Sequence, residues 1–337
     1  MSMAATDNKI DSSKALWYGI AFSFAFVFLI WASGAYWLDP GAFADPKPGI
    51  KMWYHWQLSE PTIWTKISAW LFYLGHQCSI WYLIWRAQTG KLRYTSSLHW
   101  ENIAALGANA FFITLHLLQT HVWYDGLAGD TPEWTSQASV IVVLLAMLLM
   151  ENQRRGLAFG VKAPFLKDAG RTVRKYHGYY FSWAIIYTFW YHPMDFTSGH
   201  LLGFVYMFLL LLQSSLFFTR MHVNPYWTIV QELSVVIHAV IVAIMNTEGW
   251  PRFLTGFLGL FVITQMHGLG LSRATRWVIG LAYIGLLAVV YSRPGTNHVI
   301  EAMMIPAFEL VAVFILSFLV WIISRLVAPR TAEPVSI

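Results

Sequence analysis

The sequence predicts an all-α, polytopic membrane protein of about ten helices in one bundle, and three observations predict it. The chain of 337 residues is 57% hydrophobic and only 12% charged, roughly half the charge of a soluble domain. Its 18 Trp, 23 Phe and 16 Tyr form the aromatic load of proteins that span a bilayer and anchor at its interfaces. Its apolar runs are also the right length, about 17 to 25 residues, to cross a hydrocarbon core of roughly 30 Å.

The runs fall near residues 16–38, 64–86, 100–123, 135–152, 177–193, 200–219, 227–246, 253–270, 276–292 and 302–325. The first follows a polar start and is too long for a signal-peptide core, so it reads as a retained helix. The second and third carry scattered polar residues, and the fourth, "SVIVVLLAMLLM", carries none in its middle, which places it against lipid or at the periphery. The fifth opens on His177 and closes on His192. Gly256, Gly259, Gly268 and Gly270 loosen the eighth. Residues 1–15 read as a polar cytoplasmic N-terminus, 16–326 as a single transmembrane domain and 327–337 as a cytoplasmic tail.

Ten crossings put both termini on one side, and the basic residues choose the side. Of the 22 Lys and Arg, all but Lys47, Lys51, Lys66, Arg252 and Arg293 fall in segments assigned inside. This is the positive-inside asymmetry, and it predicts cytoplasmic termini in a bacterial inner membrane. It also accounts for the net charge of +5 as loop charge facing anionic lipid, which excludes a nucleic-acid surface. The loop with "WYHWQ" (Trp53, Tyr54 and Trp56 included) is expected to lie on the outer interface. The lone cysteine, Cys78, excludes an internal disulfide and any cysteine-based cluster.

Twelve histidines make the functional question. Polar side chains at membrane depth are expensive and normally face a bundle interior or cavity. Asn102, Asn109, His116 and Gln119 recur at seven, seven and three, one helical stripe. Thr228, Gln231, Ser234 and His238 recur at three, three and four. His200, Gly203, Tyr206 and Gln213 mark the sixth run. Spans two, three, five, six and seven are therefore expected to form the functional bundle.

The stretch "YHGYYFSWAIIYTFWYHPMDFTSGH" at 176–200 resembles ferric reductases and related membrane b-type cytochromes, in which paired histidines on one helix serve two stacked haems. The resemblance covers two helices and implies haem b held by His177, His116, His192 and His238. A non-haem ion is the other expectation, since imidazole and carboxylate suit iron, copper and zinc. "HLLQTH" at 116–121 imitates one histidine box of membrane desaturases, but no adjacent His pair exists. Residues five apart on a helix also differ by ~140°. His121, His192, His200 and Asp195 make a looser outer-face set.

The expectation is thus a membrane oxidoreductase whose His116, His192, His200 and His238, with His76 next, bind haem or metal in the outer half of the bundle. Glu232 and Tyr206 would be proton or hydrogen-bond partners, and the substrate a quinone or lipid, with partner subunits left open. The alternatives are a metal-free transferase or hydrolase using a base from the set Glu232, Glu309 and His238, or a proton-coupled transporter.

Overall fold

The structure is a computed structural model, and it describes residues 10–39, 58–245, 249–293 and 298–327. The "WYHWQ" loop, most of the polar N-terminus and the C-terminal tail lie outside those residues. Ten α-helices are present among the described residues, joined by turns and isolated bridges. They are α1 (Ser12–Trp37), α2 (Ile63–Thr89), α3 (Trp100–Trp123), α4 (Glu133–Arg155), α5 (Lys167–Tyr191), α6 (Ser198–Ser215), α7 (Pro225–Met245), α8 (Trp250–Ile263), α9 (Arg273–Tyr291) and α10 (Met304–Val327). Seven helical segments are long and apolar enough to cross a membrane; α2, α5 and α8 do not meet that standard.

The local chemistry explains several helix starts. Asp11 Oδ1 accepts from the Ser13 and Lys14 N–H groups at the head of α1. Asn224 Oδ1 accepts from Tyr226 and Trp227 N–H at the head of α7, where Pro225 needs no donor partner. Ser272 Oγ accepts from Thr275 N–H at α9. These side chains supply acceptors to N–H groups that a helix start leaves unpaired.

Three expectations change. The fifth helix begins at Lys167, well before the apolar run at 177, because "KDAGRTVRKY" is helical without being greasy. The eighth is only 14 residues, and the chain passes into a 3-10 turn at Gln265–Gly268. In α4, Leu145, Ala146, Leu148, Leu149 and Met150 are buried, so its apolar middle is not simply a lipid face. Apolar side chains suit lipid and core equally in a membrane protein, and hydropathy alone does not separate the two.

The chain divides into two compact units: Met1–Ile141 with Gly178–Leu254, and Val142–His177 with Thr255–Ile337. In the first, α2 packs on α3, and α6 lies against α1, α3 and α7. Its core is aromatic, with Phe189, Trp190, Tyr191 and Phe208 fully buried. Gly19 lets α1 approach Leu212, since a Cβ there would fall 2.4 Å from a Leu212 methyl. In the second unit, Asn152 clips the loop after α4 by donating to Ala163 O and accepting from Ala163 N–H, both at 2.9 Å. Phe165 and Phe314 stack with centroids 5.7 Å apart.

Candidate functional site

The polar stripe expected on α3 is buried along its whole length: Asn102, Asn109, His116 and Gln119 are each 4% exposed or less. Its lower members are structural. Asn102 Nδ2 donates to Ser215 O and Phe217 O, both at 2.8 Å. Asn109 Nδ2 donates to Ser215 Oγ at 2.7 Å. Together they sew α3 to the end of α6 and satisfy carbonyls that the helix terminus would leave unpaired.

His76 on α2 is fully buried, and its partners fix its proton. Its Nε2 lies 2.6 Å from Asn109 Oδ1, an acceptor, so Nε2–H donates. Trp190 Nε1–H donates to its Nδ1 at 3.2 Å. The ring is therefore the neutral Nε2–H tautomer, stacked on Phe112 at 4.6 Å. Both nitrogens are engaged, and neither is aimed at a ligand.

His116, one helix away and equally buried, meets the opposite situation. Its Nε2 lies 2.8 Å from His192 O, and its Nδ1 lies 3.0 Å from Gln119 Oε1. The Gln119 amide cannot be turned over, because its Nε2 donates to Tyr124 O at 2.6 Å and Asp125 O at 3.0 Å. His116 thus faces two acceptors, and a neutral imidazole has one N–H. In the neutral state one contact sets lone pair against lone pair. In the doubly protonated state both become charge-assisted hydrogen bonds, with the ring 4.2 Å from Trp190 and a cation–π contact available. The network holds a place for one more proton.

The turn that supplies His192 O is tightly built. Met194 N–H donates to Thr120 Oγ1 at 2.9 Å. Asp195, fully buried, accepts from Tyr124 O–H at 2.6 Å and from Thr197 N–H at 2.7 Å. Thr197 Oγ1 lies 2.9 Å from His200 Nδ1. The rings of His192 and His200 meet edge to face, centroids 5.6 Å apart.

Beneath this turn the backbone after α3 is strained: Tyr124 and Asp125 have φ of 58° and 26°, a region that non-glycine residues rarely occupy. Gly126 is required there, since a Cβ would come 2.5 Å from Tyr191 O. The Gln119 amide holds both strained carbonyls. Asp125 Oδ1 accepts from Leu58 N–H at 2.7 Å, and burial pushes the Asp125 carboxyl up to about 6, with the Leu58 hydrogen bond opposing.

The remaining expected residues scatter. His238 on α7 stacks near Tyr206 at 6.2 Å, and Gly203 makes room for its ring. Glu232, on the same helix, is buried and within electrostatic reach of Tyr206. His121 donates from Nδ1 to Leu117 O at 2.8 Å and abuts Trp37, while its buried Nε2 has no partner. His177 belongs to the second unit, where its Nδ1 lies 2.6 Å from Arg174 O.

Among the described residues no group of three or more His, Cys, Asp or Glu is placed to share a metal ion. An axial haem ligand needs a bare imidazole nitrogen aimed at iron, and His116 has neither nitrogen in that state. Gln119, Thr120, Tyr124 and Asp125 are the site residues that histidine spacing does not reveal, although Gln119 stands on the polar stripe.

No protein-family model, no curated protein and no solved structure matches the chain. The fold and the site define an all-helical protein with seven helices suited to a membrane and a histidine cluster inside one of its two units.

Proposed function

We propose that the chain is a ten-span enzyme of the bacterial inner membrane, its termini cytoplasmic, that uses the His116–His192–His200 cluster for metal-free acid–base chemistry. The substrate is lipophilic, a lipid or quinone that arrives through the bilayer. The observation that carries the reading is the pair of acceptors around His116, a position built to take up and release a proton. A histidine so placed suits general acid–base work. The neighbouring His192 and His200 rings lie on the turn whose carbonyl His116 reads, so proton uptake at His116 tightens the same turn that would face the substrate. Tyr206, Glu232 and His238 form the adjoining set on α6 and α7.

The test is conversion. Purified protein is incubated with a total lipid and quinone extract of the host membrane, and the extract is compared by mass spectrometry before and after. The expected result is one species transformed by the wild type but not by His116→Gln or His200→Gln variants of equal thermal stability. Full conversion by both variants overturns the reading.

A second reading, a membrane oxidoreductase holding haem or an iron, copper or zinc ion, rests on the juxtaposed rings of His192 and His200. It requires a reduced-minus-oxidised visible difference spectrum with Soret and α bands, or stoichiometric metal by elemental analysis. In the acid–base reading both measurements are blank while conversion persists.

A further inference from the structure

A different group in the second unit carries an inference of its own. Glu309 lies close to the middle of the 25-residue apolar segment Val299–Ile323. At the helical rise it is roughly 15 Å along that segment, near the midplane of a hydrocarbon core of roughly 30 Å. It does not turn toward lipid. Pro306, Glu309, Val313 and Ser317 are buried at spacings of three, four and four, a single face of α10. Phe308, Val311, Phe314, Ile315 and Phe318 are exposed on the remainder.

That inward face is closely packed. A Cβ on Gly256 of α8 would fall 2.9 Å from Ile305, and one on Gly259 would fall 3.5 Å from Pro306. Within this packing the Glu309 side chain is 3% exposed, and its Oε2 has no hydrogen-bond partner. The tyrosine hydroxyls of α9 are committed to Thr255 of α8. Tyr283 O–H donates to Thr255 O at 3.0 Å, and Tyr291 O–H lies 3.0 Å from Thr255 Oγ1. Glu301 sits in the 3-10 turn Val299–Met303 that leads into α10, while Arg273 and Arg276 sit in the first turn of α9 and His267 in the turn before it, at the end of α9 opposite Tyr291. Among the described residues no cation pairs with Glu309.

A carboxylate there would lack a counter-charge, and its Oε2 would lack a donor, a burial that costs several kcal/mol per ion even after relaxation. A neutral carboxylic acid removes that penalty, and an intramembrane ionisable residue of this kind is functional by default. We infer that Glu309 is a proton-binding site within the membrane, separate from the histidine cluster and loaded in the resting protein. Its ligand is a proton exchanged with water. A purely structural role would be served by Gln or Leu with no proton to exchange.

Infrared spectroscopy of the full chain in lipid tests this directly. The expected spectrum at neutral pH contains a protonated carboxylic C=O band above the amide region. That band shifts on transfer to D2O and is lost in Glu309→Gln. The same variant is expected to keep the wild-type melting temperature, since it replaces one neutral group with another; should it fail to fold, Glu309→Leu serves in its place. Absence of a Glu309-dependent band, or a band that never shifts in D2O, overturns the inference. Neither result bears on the lipid-extract assay, which reads the first unit.

Discussion

The two units of this protein solve the problem of a greasy interior in different ways. The first fills its core with aromatic rings and threads hydrogen-bonded polar groups through them: His76 between Asn109 and Trp190, His116 between Gln119 and His192 O, Asp195 between Tyr124 and Thr197. The second joins its elements by loop clips and close glycine contacts, and it holds one carboxyl whose Oε2 has no partner. Buried polar networks are high-stakes, rigid and specific when every member is satisfied. Much of the first unit's network is so satisfied, His116 faces one acceptor more than a neutral ring can serve, and Gln77, Gln231 and the His121 Nε2 are buried there without partners.

The sharpest way to break that network is to deny the close approach beneath it. Gly126→Ala would set a methyl 2.5 Å from Tyr191 O and 2.8 Å from Trp190 O, and backbone atoms cannot swing aside as a side chain can. The expected loss is about 3 kcal/mol, the upper end for overpacking, seen as a lowered melting temperature in detergent. Gly280→Ala, with open space around its Cβ, is the control and should melt like the wild type. A Gly126→Ala protein of unchanged stability would disprove the packing described for this turn.

Gln119→Leu comes next. It keeps the volume but strips the donor from Tyr124 O and Asp125 O and the acceptor from His116 Nδ1. A buried group left without its partner costs about 1–3 kcal/mol, and the expected loss is about 2 kcal/mol. Gln77→Leu on α2 sharpens the comparison. Both amide atoms of Gln77 are buried without a partner, so that substitution should be neutral or stabilising.

The two buried histidines give a finer contrast. In ring-labelled protein, nitrogen NMR should show His76 with one protonated nitrogen and His116, at the acid end of the stable range, with two. Protonating His76 at Nδ1 would break its bond from Trp190, whereas protonating His116 completes a bond already in place. Two protonated nitrogens on His76 and one on His116 would reverse the assignment.

How much of this was legible in the sequence follows from the range of each interaction. The α3 stripe was readable because seven, seven and three is a local periodicity that any inward-facing helix imposes. Most helix positions were readable from apolar length, but not the polar start of α5 or the early end of α8. The roles of His76 and His116 were not, since they depend on Asn109, Trp190 and the carbonyl of residue 192, brought together by tertiary packing. Nor does any local signal announce that Tyr124 adopts a positive φ, or that Gly126 touches the end of α5. Sorting histidines by depth pointed to a region where His76, His116 and His200 are buried, while the bonds each ring makes are set by which acceptors surround it.

A pH-dependent effect separates the strained turn from the histidines above it. The Asp125 carboxyl has an ordinary value of 3.8 and is pushed up to about 6 by burial in the folded chain. The folded state therefore holds this proton more tightly than the unfolded one. The corresponding stability is fully present below about pH 4 and is lost as pH rises through about 6, where the buried carboxylate must ionise. Asp125→Asn keeps an oxygen for Leu58 N–H and never ionises, so its stability curve should lack that decline. Melting temperatures of the two proteins measured between pH 4 and 7 should diverge with rising pH, the variant becoming relatively more stable. The difference corresponds to at most one proton. Parallel curves would place the Asp125 carboxyl in contact with water, and the Leu58 contact would then be too loose to close the turn beneath His116.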